Sequence, residues 1–195
     1  ALNSRVCPAV TLIGAAEAGS EHFLARALDM SPNAFKTVVD IDLLGSFNVV
    51  RAAYEHLRKP GASVVQISAG QASIGKPYQA HVCAAKAGVD MLTRVLALEW
   101  GVEGIRINSI APGPIADTEG LKRLAPDEDA LQRMAERVPL QRLGRLDDIA
   151  RMAMLLCSDW GSYITGAVIP VDGGLALTGP RDFSAAAAAT ARSRA

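Results

Sequence analysis

The sequence predicts an α/β fold, in which a parallel β-sheet carries helices on its faces. Short apolar runs rich in β-branched residues alternate along the chain with longer segments of helical periodicity. This is the element order of βαβ units joined by right-handed crossovers. No internal repeat and no linker divides the 195 residues, and a chain of this length suffices for one hydrophobic core.

Four segments have the length and composition of buried strands. They are apolar at consecutive positions, as parallel strands covered on both faces are. Each run ends in small residues, Gly or Pro, and the ligand of such a sheet binds beyond these carboxyl ends. The predicted strands are residues 10–15, 62–67, 105–110 and 167–171, with a loop at residues 17–21.

Four helices are predicted around these strands. Ser31 is a favoured N-cap residue, and Pro32 is a favoured residue of the first helical turn. The first helix ends where Lys-Pro-Gly at residues 59–61 stops it. The predicted helices cover residues 32–58, 77–100, 119–136 and 146–158, and residues 179–195 form an Ala/Arg-rich tail, frayed or helical.

The charge and composition of the chain exclude several classes of function. Twenty basic residues balance twenty acidic ones, so we expect no partnership with nucleic acid or an anionic membrane surface. No apolar run approaches the roughly 18 residues that span a bilayer. Three cysteines without metal-ligand spacing predict a cytoplasmic protein without a metal site. The last three residues, Ser-Arg-Ala, differ from the Ser-Lys-Leu peroxisomal signal.

One lysine stands out by its surroundings. Lys86 lies on the second predicted helix among Ala and Gly residues, which let another backbone or a ligand approach closely. A lysine on a helix is more often a solvated surface residue, so a functional role for Lys86 is judged from the order of the motifs around it. The order of these motifs resembles that of the short-chain dehydrogenase/reductase family: a strand that ends in Ser, then Lys86, then residues 106–113 (Arg-Ile-Asn-Ser-Ile-Ala-Pro-Gly). Residues 143–145 (Leu-Gly-Arg), 164–166 (Ile-Thr-Gly) and 171–174 (Val-Asp-Gly-Gly) extend that resemblance over residues 10–178.

The resemblance implies a Rossmann-like doubly wound parallel sheet that is N-terminally truncated. The first predicted strand matches the fourth strand of the family, and the Gly-rich turn that holds the cofactor pyrophosphate does not occur in the sequence. Residues 1–178 are therefore interpreted as a partial Rossmann-type domain that lacks the first βαβ units. The family also implies a homotetramer formed through the long helices.

The family's usual Tyr and Ser are replaced here by Val82 and Ala69. Tyr78 lies eight residues before Lys86, about 12 Å along a helix, and cannot substitute for the missing phenol. Among the family, residues 33–42, 111–115 and 118–121 most resemble peroxisomal-type 2,4-dienoyl-CoA reductases, which also lack the Tyr. That resemblance implies catalytic roles for Lys86, Asp90 and Asp42.

The same resemblance implies how the site is used. Lys86 binds the nicotinamide ribose of NADPH. Together with Asp90, Lys86 also holds a water that protonates the substrate. The alternative for the Lys86–Asp90 pair is an ordinary surface salt bridge. Asp42 holds a water or orients Lys86, or else faces solvent. His81 lines the mouth of the site or lies on the surface. The implied cofactor contacts are Pro112, Gly113, Pro114 and Ile115, with Thr118 as the cap of the next helix.

The predicted function is NADPH-dependent reduction of 2,4-dienoyl-CoA thioesters to 3-enoyl-CoA in fatty-acid β-oxidation. Hydride addition to a conjugated thioester leaves a dienolate that is protonated on carbon, so the site needs no phenol to protonate an oxygen. Two alternatives stay open: another short-chain oxidoreductase that acts on a carbonyl or thioester, and a non-catalytic remnant that acts only in subunit association.

Overall fold

A computed structural model describes residues 9–12, 24–125 and 127–178, which form a sheet of parallel strands covered by helices. The strands are β1 (Ala9–Leu12), β2 (Ser63–Ile67), β3 (Arg106–Pro112) and β4 (Val168–Val171), in the spatial order β1-β2-β3-β4. Every pairing is parallel, as predicted. The predicted continuation of the first strand beyond Leu12, the loop at residues 17–21 and the tail at residues 179–195 lie outside the described residues.

The first helical stretch begins as its capping residues predict. Oγ of Ser31 accepts a hydrogen bond from the backbone N–H of Ala34 at 3.1 Å, with Pro32 in the first turn. The expectation of one uninterrupted helix over residues 32–58 is wrong. The stretch consists of α1 (Pro32–Val39), a π-helical segment (Asp40–Leu44), α2 (Gly45–Ala53) and a 3-10 turn (Tyr54–His56).

The π segment widens one turn in the middle of this stretch. The backbone N–H of Gly45 donates to the carbonyl of Asp40, five residues earlier, in place of the four-residue spacing of an α-helix. No Pro or Gly lies inside the segment, so no chain breaker within it accounts for the widened turn. A π turn within an α-helix often marks a functional position.

The remaining helices are α3 (Ala80–Gly101), α4 (Glu119–Leu124), α5 (Glu128–Arg137) and α6 (Leu146–Cys157). The prediction placed the start of α3 three residues too early, because Tyr78 adopts a φ of 67°, which no right-handed helix continues. The single helix predicted over residues 119–136 is two helices. Pro126 cannot continue a helix, and Oδ1 of Asp127 caps α5 by accepting from the Ala130 N–H at 2.7 Å.

Helices cover the sheet on both faces, as a doubly wound fold requires. Val64 of β2 and its register partner Ile107 of β3 pack with Val50 of α2 and Leu96 of α3. The next residue of β2, Val65, points to the opposite face and packs with Leu156 of α6. In the described part of the chain, no helix is long and apolar enough to cross a bilayer.

Candidate active site

Lys86 lies in a group of buried ionisable side chains at the carboxyl end of β2. Its helix neighbours Ala85 and Val89 are fully buried and fix this face of α3 against the sheet. Nζ of Lys86 donates to the carbonyl oxygen of Ile67 at 3.4 Å and lies 3.6 Å from Oδ1 of Asp42. A buried lysine requires such partners, so the alternative of a solvated surface residue is wrong.

Asp42 reaches Lys86 from the π segment, and its side chain is 0% exposed. The two elements approach closely because α3 has no side chain at the contact: a Cβ on Gly88 would lie 2.7 Å from Cδ2 of Leu43. The alternative that Asp42 faces solvent is therefore wrong. The small residues around Lys86 admit a neighbouring helix, as the sequence indicated they could.

Burial shifts both members of this pair toward their neutral forms. It raises the pKa of the Asp42 carboxyl, and the charges of Lys86 and His81 oppose that rise. It also lowers the pKa of the Lys86 ammonium, which Asp42 and, more weakly, Asp90 oppose. The two shifts reduce the free-energy difference between a proton on Lys86 and a proton on Asp42. A site that transfers protons needs this property.

Asp90 lies one turn after Lys86 and faces β3. Its Oδ1 accepts a hydrogen bond from Oγ of Ser109 at 3.3 Å. Burial raises the pKa of the Asp90 carboxyl, and the hydroxyls of Ser68 and Ser109 oppose the rise more than Lys86 does. The close ion-pair partner of Lys86 is thus Asp42 and not, as the four-residue spacing suggested, Asp90.

The positions of the missing Tyr and Ser belong to apolar residues. Val82 is half-buried on α3, and Ala69 precedes the 3-10 turn Gly70–Ala72. Tyr78 is 55% exposed, whereas Lys86 is buried, which agrees with the expectation that this phenol does not substitute for the missing one. The Ser68 side chain is buried at the end of β2, and its hydroxyl lowers the pKa of the Asp90 carboxyl.

The loop after β3 is held from both sides. The backbone N–H of Gly113 donates to the Val171 carbonyl at 3.0 Å, and the Pro114 carbonyl accepts from the Gly144 N–H at 2.9 Å. Thr118 caps α4 as expected, since its Oγ1 accepts from the Leu121 N–H at 3.3 Å. With residues 138–144 and the end of β4, the loop lines a cavity of about 480 Å³. Of the implied cofactor contacts, Pro112 is the last residue of β3, and Gly113, Pro114 and Ile115 lie on the loop and line this cavity.

His81 was placed wrongly by both sequence alternatives. It is 1% exposed and belongs to the buried face of α3, where its charge interacts with Asp42. Four-residue spacing could have shown this, because buried residues recur along α3 at that interval. The stripe consists of His81, Ala85, Val89, Thr93 and Ala97.

Comparisons with known proteins agree with this architecture. A family model described as Enoyl-(Acyl carrier protein) reductase matches residues 9–176. The peroxisomal 2,4-dienoyl-CoA reductase of Pongo abelii is 49% identical over 162 residues, 83% of this chain and 56% of that protein. Its namesake SPS19 of Saccharomyces cerevisiae is 50% identical over 154 residues, 79% of this chain and 52% of that protein.

Among solved structures, gluconate 5-dehydrogenase of Burkholderia cenocepacia J2315, in complex with NADP and tartrate, matches with a TM-score of 0.77 at 27% identity. The match covers 87% of this chain and 65% of that one. The chain spans a little over half the length of the two curated relatives. The Rossmann fold and the resemblance to peroxisomal-type 2,4-dienoyl-CoA reductases are both confirmed. The chain belongs to the short-chain dehydrogenase/reductase family.

Proposed function

We propose that the protein carrying this chain is an NADPH-dependent 2,4-dienoyl-CoA reductase that forms 3-enoyl-CoA in fatty-acid β-oxidation. The observation that carries the proposal is the buried Asp42–Lys86 pair in a site with Val82 in place of a phenol. The names of the relatives support the substrate class, since both describe (3E)-enoyl-CoA-producing 2,4-dienoyl-CoA reductases.

The residues present fit a nicotinamide cofactor. Lys86 offers a buried cation at the carboxyl end of the sheet for the ribose hydroxyls, and the loop from Pro112 to Ile115 offers backbone groups for the carboxamide. Thr118 orders the N-terminus of α4, near the pyrophosphate position that the family implies. When bound, NADPH supplies a hydride. The solved relative that contains NADP supports this choice of cofactor.

The reaction on the substrate needs charge stabilisation at one oxygen and a proton at one carbon. Hydride addition at the far end of the diene sends negative charge to the thioester oxygen, which a positive group such as Lys86 stabilises. The proton then reaches carbon from a water oriented by the carboxyl groups of Asp42 and Asp90. Their raised pKa values favour forms that retain a proton, so they can resupply that water.

The test is oxidation of NADPH by 2,4-hexadienoyl-CoA, followed by absorbance, with this chain and with the chain extended upstream of Ala1. Replacement of Asp42 by Asn or Asp90 by Ala should lower kcat by roughly two orders of magnitude and leave NADPH binding largely unchanged. Asp40→Asn is the matched control, since this carboxylate lies on the same helical stretch but is paired at the surface with Lys36. No turnover in the extended protein contradicts the proposal.

Two alternatives have distinct signatures. Another reductase of the family would turn over a ketone or a saturated thioester faster than the dienoyl substrate in the same assay. A non-catalytic subunit would associate without turnover, and exposed apolar side chains on the long helices favour self-association in either case. They include Phe35, Leu44, Phe47, Met91 and Leu98.

We propose that these helices form the interface of a homo-oligomer, a tetramer by the family resemblance. Light scattering of the extended protein tests the assembly, and a monomer at micromolar concentration contradicts it. The cytoplasmic location stays a prediction, because the curated relatives are named as peroxisomal proteins. Cell fractionation would separate the two locations.

A further inference from the structure

Ser109 carries a buried hydroxyl on β3, next to the proposed reaction site. It is 0% exposed and lies between Ile107 and Ile110, two fully buried core residues of the same strand. A hydroxyl that is taken out of water disfavours folding unless it forms a hydrogen bond, and a β-branched apolar side chain is the usual residue in a buried strand. A serine at this position is therefore expected to use its hydroxyl for a specific contact.

That contact is with Asp90, the carboxyl one turn after Lys86 on α3. Oγ of Ser109 donates to Oδ1 of Asp90 at 3.3 Å, and Asp90 itself is only 5% exposed. Residues four apart on a helix lie side by side, so the Asp90 carboxyl could turn along α3 toward the ammonium of Lys86. The hydrogen bond directs this carboxyl across to β3 instead.

The backbone of Ser109 is held from both sides of β3. Ser109 is the register partner of Gln66 on β2 and of Val168 on β4, and its N–H donates to the Ala167 carbonyl at 2.8 Å. Its Oγ is one torsion angle away from this fixed backbone, and staggered rotamers restrict that torsion further. A donor with so little freedom determines where the longer Asp90 side chain points.

The groups around the Asp90 carboxyl differ in how strongly they act on it. Burial raises its pKa, and the hydroxyls of Ser68 and Ser109 oppose the rise more than the charges of Arg94 and Lys86 do. Both cations lie on α3 itself, whereas the strands packed against Asp90 contribute these hydroxyls, which do not titrate. Of the two hydroxyls, that of Ser109 lies within hydrogen-bond distance of the carboxyl. The contact from β3 is therefore the one that can fix its orientation.

We propose that Ser109 is a positioning residue for Asp90: its hydroxyl fixes the carboxyl on the β3 side of the site, apart from the Asp42–Lys86 pair. The inference rests on the proposed function for its effect on turnover, whereas the contact exists independently of any substrate. The two carboxyls then have separate tasks. Asp42, from the π segment, is the counter-charge of Lys86, and Asp90, held from the sheet, orients the water that protonates the substrate.

Substitutions of Ser109 in the extended protein separate the effect of its hydroxyl from the effect of side-chain shape. Ser109→Thr and Ser109→Val introduce side chains of the same shape, and only the first keeps a donor. Ser109→Val should lower kcat roughly tenfold with KM little changed, which corresponds to the loss of one hydrogen bond to a charged group. Ser109→Thr should stay within about threefold of the parent kcat. Equal losses in the two variants would assign Ser109 to packing and overturn the proposal.

A double-mutant cycle connects the loss to Asp90. In an Asp90→Ala background, which has no carboxyl to position, Ser109→Val should change kcat by less than about twofold. Thr93→Val is the matched control, since the Thr93 hydroxyl is equally buried but contacts Gln66 and the Val89 carbonyl. Thr93→Val should lower stability and leave kcat unchanged. A Ser109→Val loss that adds fully to the loss in Asp90→Ala overturns the proposal.

A second readout does not depend on the reaction. The hydroxyl favours the ionised carboxylate, so its removal in Ser109→Val should raise the pKa of Asp90 by about half a unit or more. Carbon NMR of the side-chain carboxyl follows this titration, and Asp90→Asn assigns the signal. An unchanged titration overturns the Ser109 inference even if the dienoyl assay succeeds. A shifted titration in a protein without reductase activity supports the contact and rejects the proposed function.

Discussion

Replacement of Asp42 by Asn tests whether the buried pair is ionised in the folded protein. The side chains of Asp42 and Lys86 are 0% and 6% exposed, and their charged atoms are 3.6 Å apart. At an effective dielectric constant of about 20, Coulomb's law gives about 4.6 kcal/mol for unit charges at this distance, before the loss of hydration. Removal of one member leaves an uncompensated buried charge, which costs about 3–5 kcal/mol.

We therefore expect Asp42→Asn to lower the free energy of unfolding by about 3–5 kcal/mol near neutral pH. The loss should shrink at higher pH, because the unpaired Lys86, whose pKa burial already lowers, can release its proton. Urea unfolding followed by circular dichroism measures the difference, with the denaturant slope as a check that the unfolding transition is unchanged.

The neighbouring pair Lys36–Asp40 is the control. It joins the same residue types at the surface of the same helical stretch, with side chains 69% and 39% exposed. Asp40→Asn should cost only about 0.5 kcal/mol or less. If Asp42→Asn costs no more than Asp40→Asn, the buried pair is not ionised in the folded protein and the reasoning on the ion pair fails. The double change Asp42→Leu with Lys86→Met should restore much of the lost stability.

Three further changes probe the rest of the site. The raised folded-state pKa of Asp90 means that the folded protein keeps this proton where the unfolded chain has lost it, so stability falls with rising pH there. Asp90→Asn should therefore gain stability relative to the parent as the pH rises above 3.8, the ordinary pKa of the carboxyl, in urea titrations, and a constant gap would refute the shift. Gly113→Ala places a Cβ 2.7 Å from Cα of Asp172 and should cost about 1–3 kcal/mol of stability. Gly120→Ala, with open space around the new Cβ, should stabilise α4 by up to about 1 kcal/mol. Equal melting temperatures of the two variants would contradict this expectation. Thr118→Ala should cost about 1 kcal/mol and raise hydrogen exchange in α4, and unchanged exchange would show that the cap is dispensable.

The parts of the fold that the sequence predicted correctly depend on local signals. Ser31 and Pro32 mark a helix start, and the β-branched runs of β2 and β3 mark buried strands, because these preferences act within a few residues. The break between α4 and α5 was also encoded locally, in Ala-Pro-Asp at residues 125–127, and was overlooked. The π segment was not predictable this way, since residues 40–44 contain no breaker.

The sequence predicted which residues belong to the candidate site better than it predicted which of them pair with each other. The family resemblance indicated Lys86, Asp42 and Asp90, and their catalytic roles stay predictions. Helical spacing suggested that Lys86 pairs with Asp90, but the contact with Asp42 depends on how closely α3 approaches the π segment. That distance is set by the absence of a side chain at Gly88, a long-range effect that spacing along one helix does not report.

The π segment also has a consequence for the rotation of the helix around its axis. Buried residues recur every fourth position across it: Val38, Asp42, Ser46 and Val50. On a regular α-helix, such a series drifts by about 40° at each step, so Val38 and Val50 would point about 120° apart. One extra residue in the widened turn cancels about 100° of this drift. Deletion of a single residue from 40–44 would restore a regular helix in which Val38 and Val50 still lie only about 20° apart. The faces that α1 and α2 bury would therefore persist, and the change would be confined to the widened turn that carries Asp42.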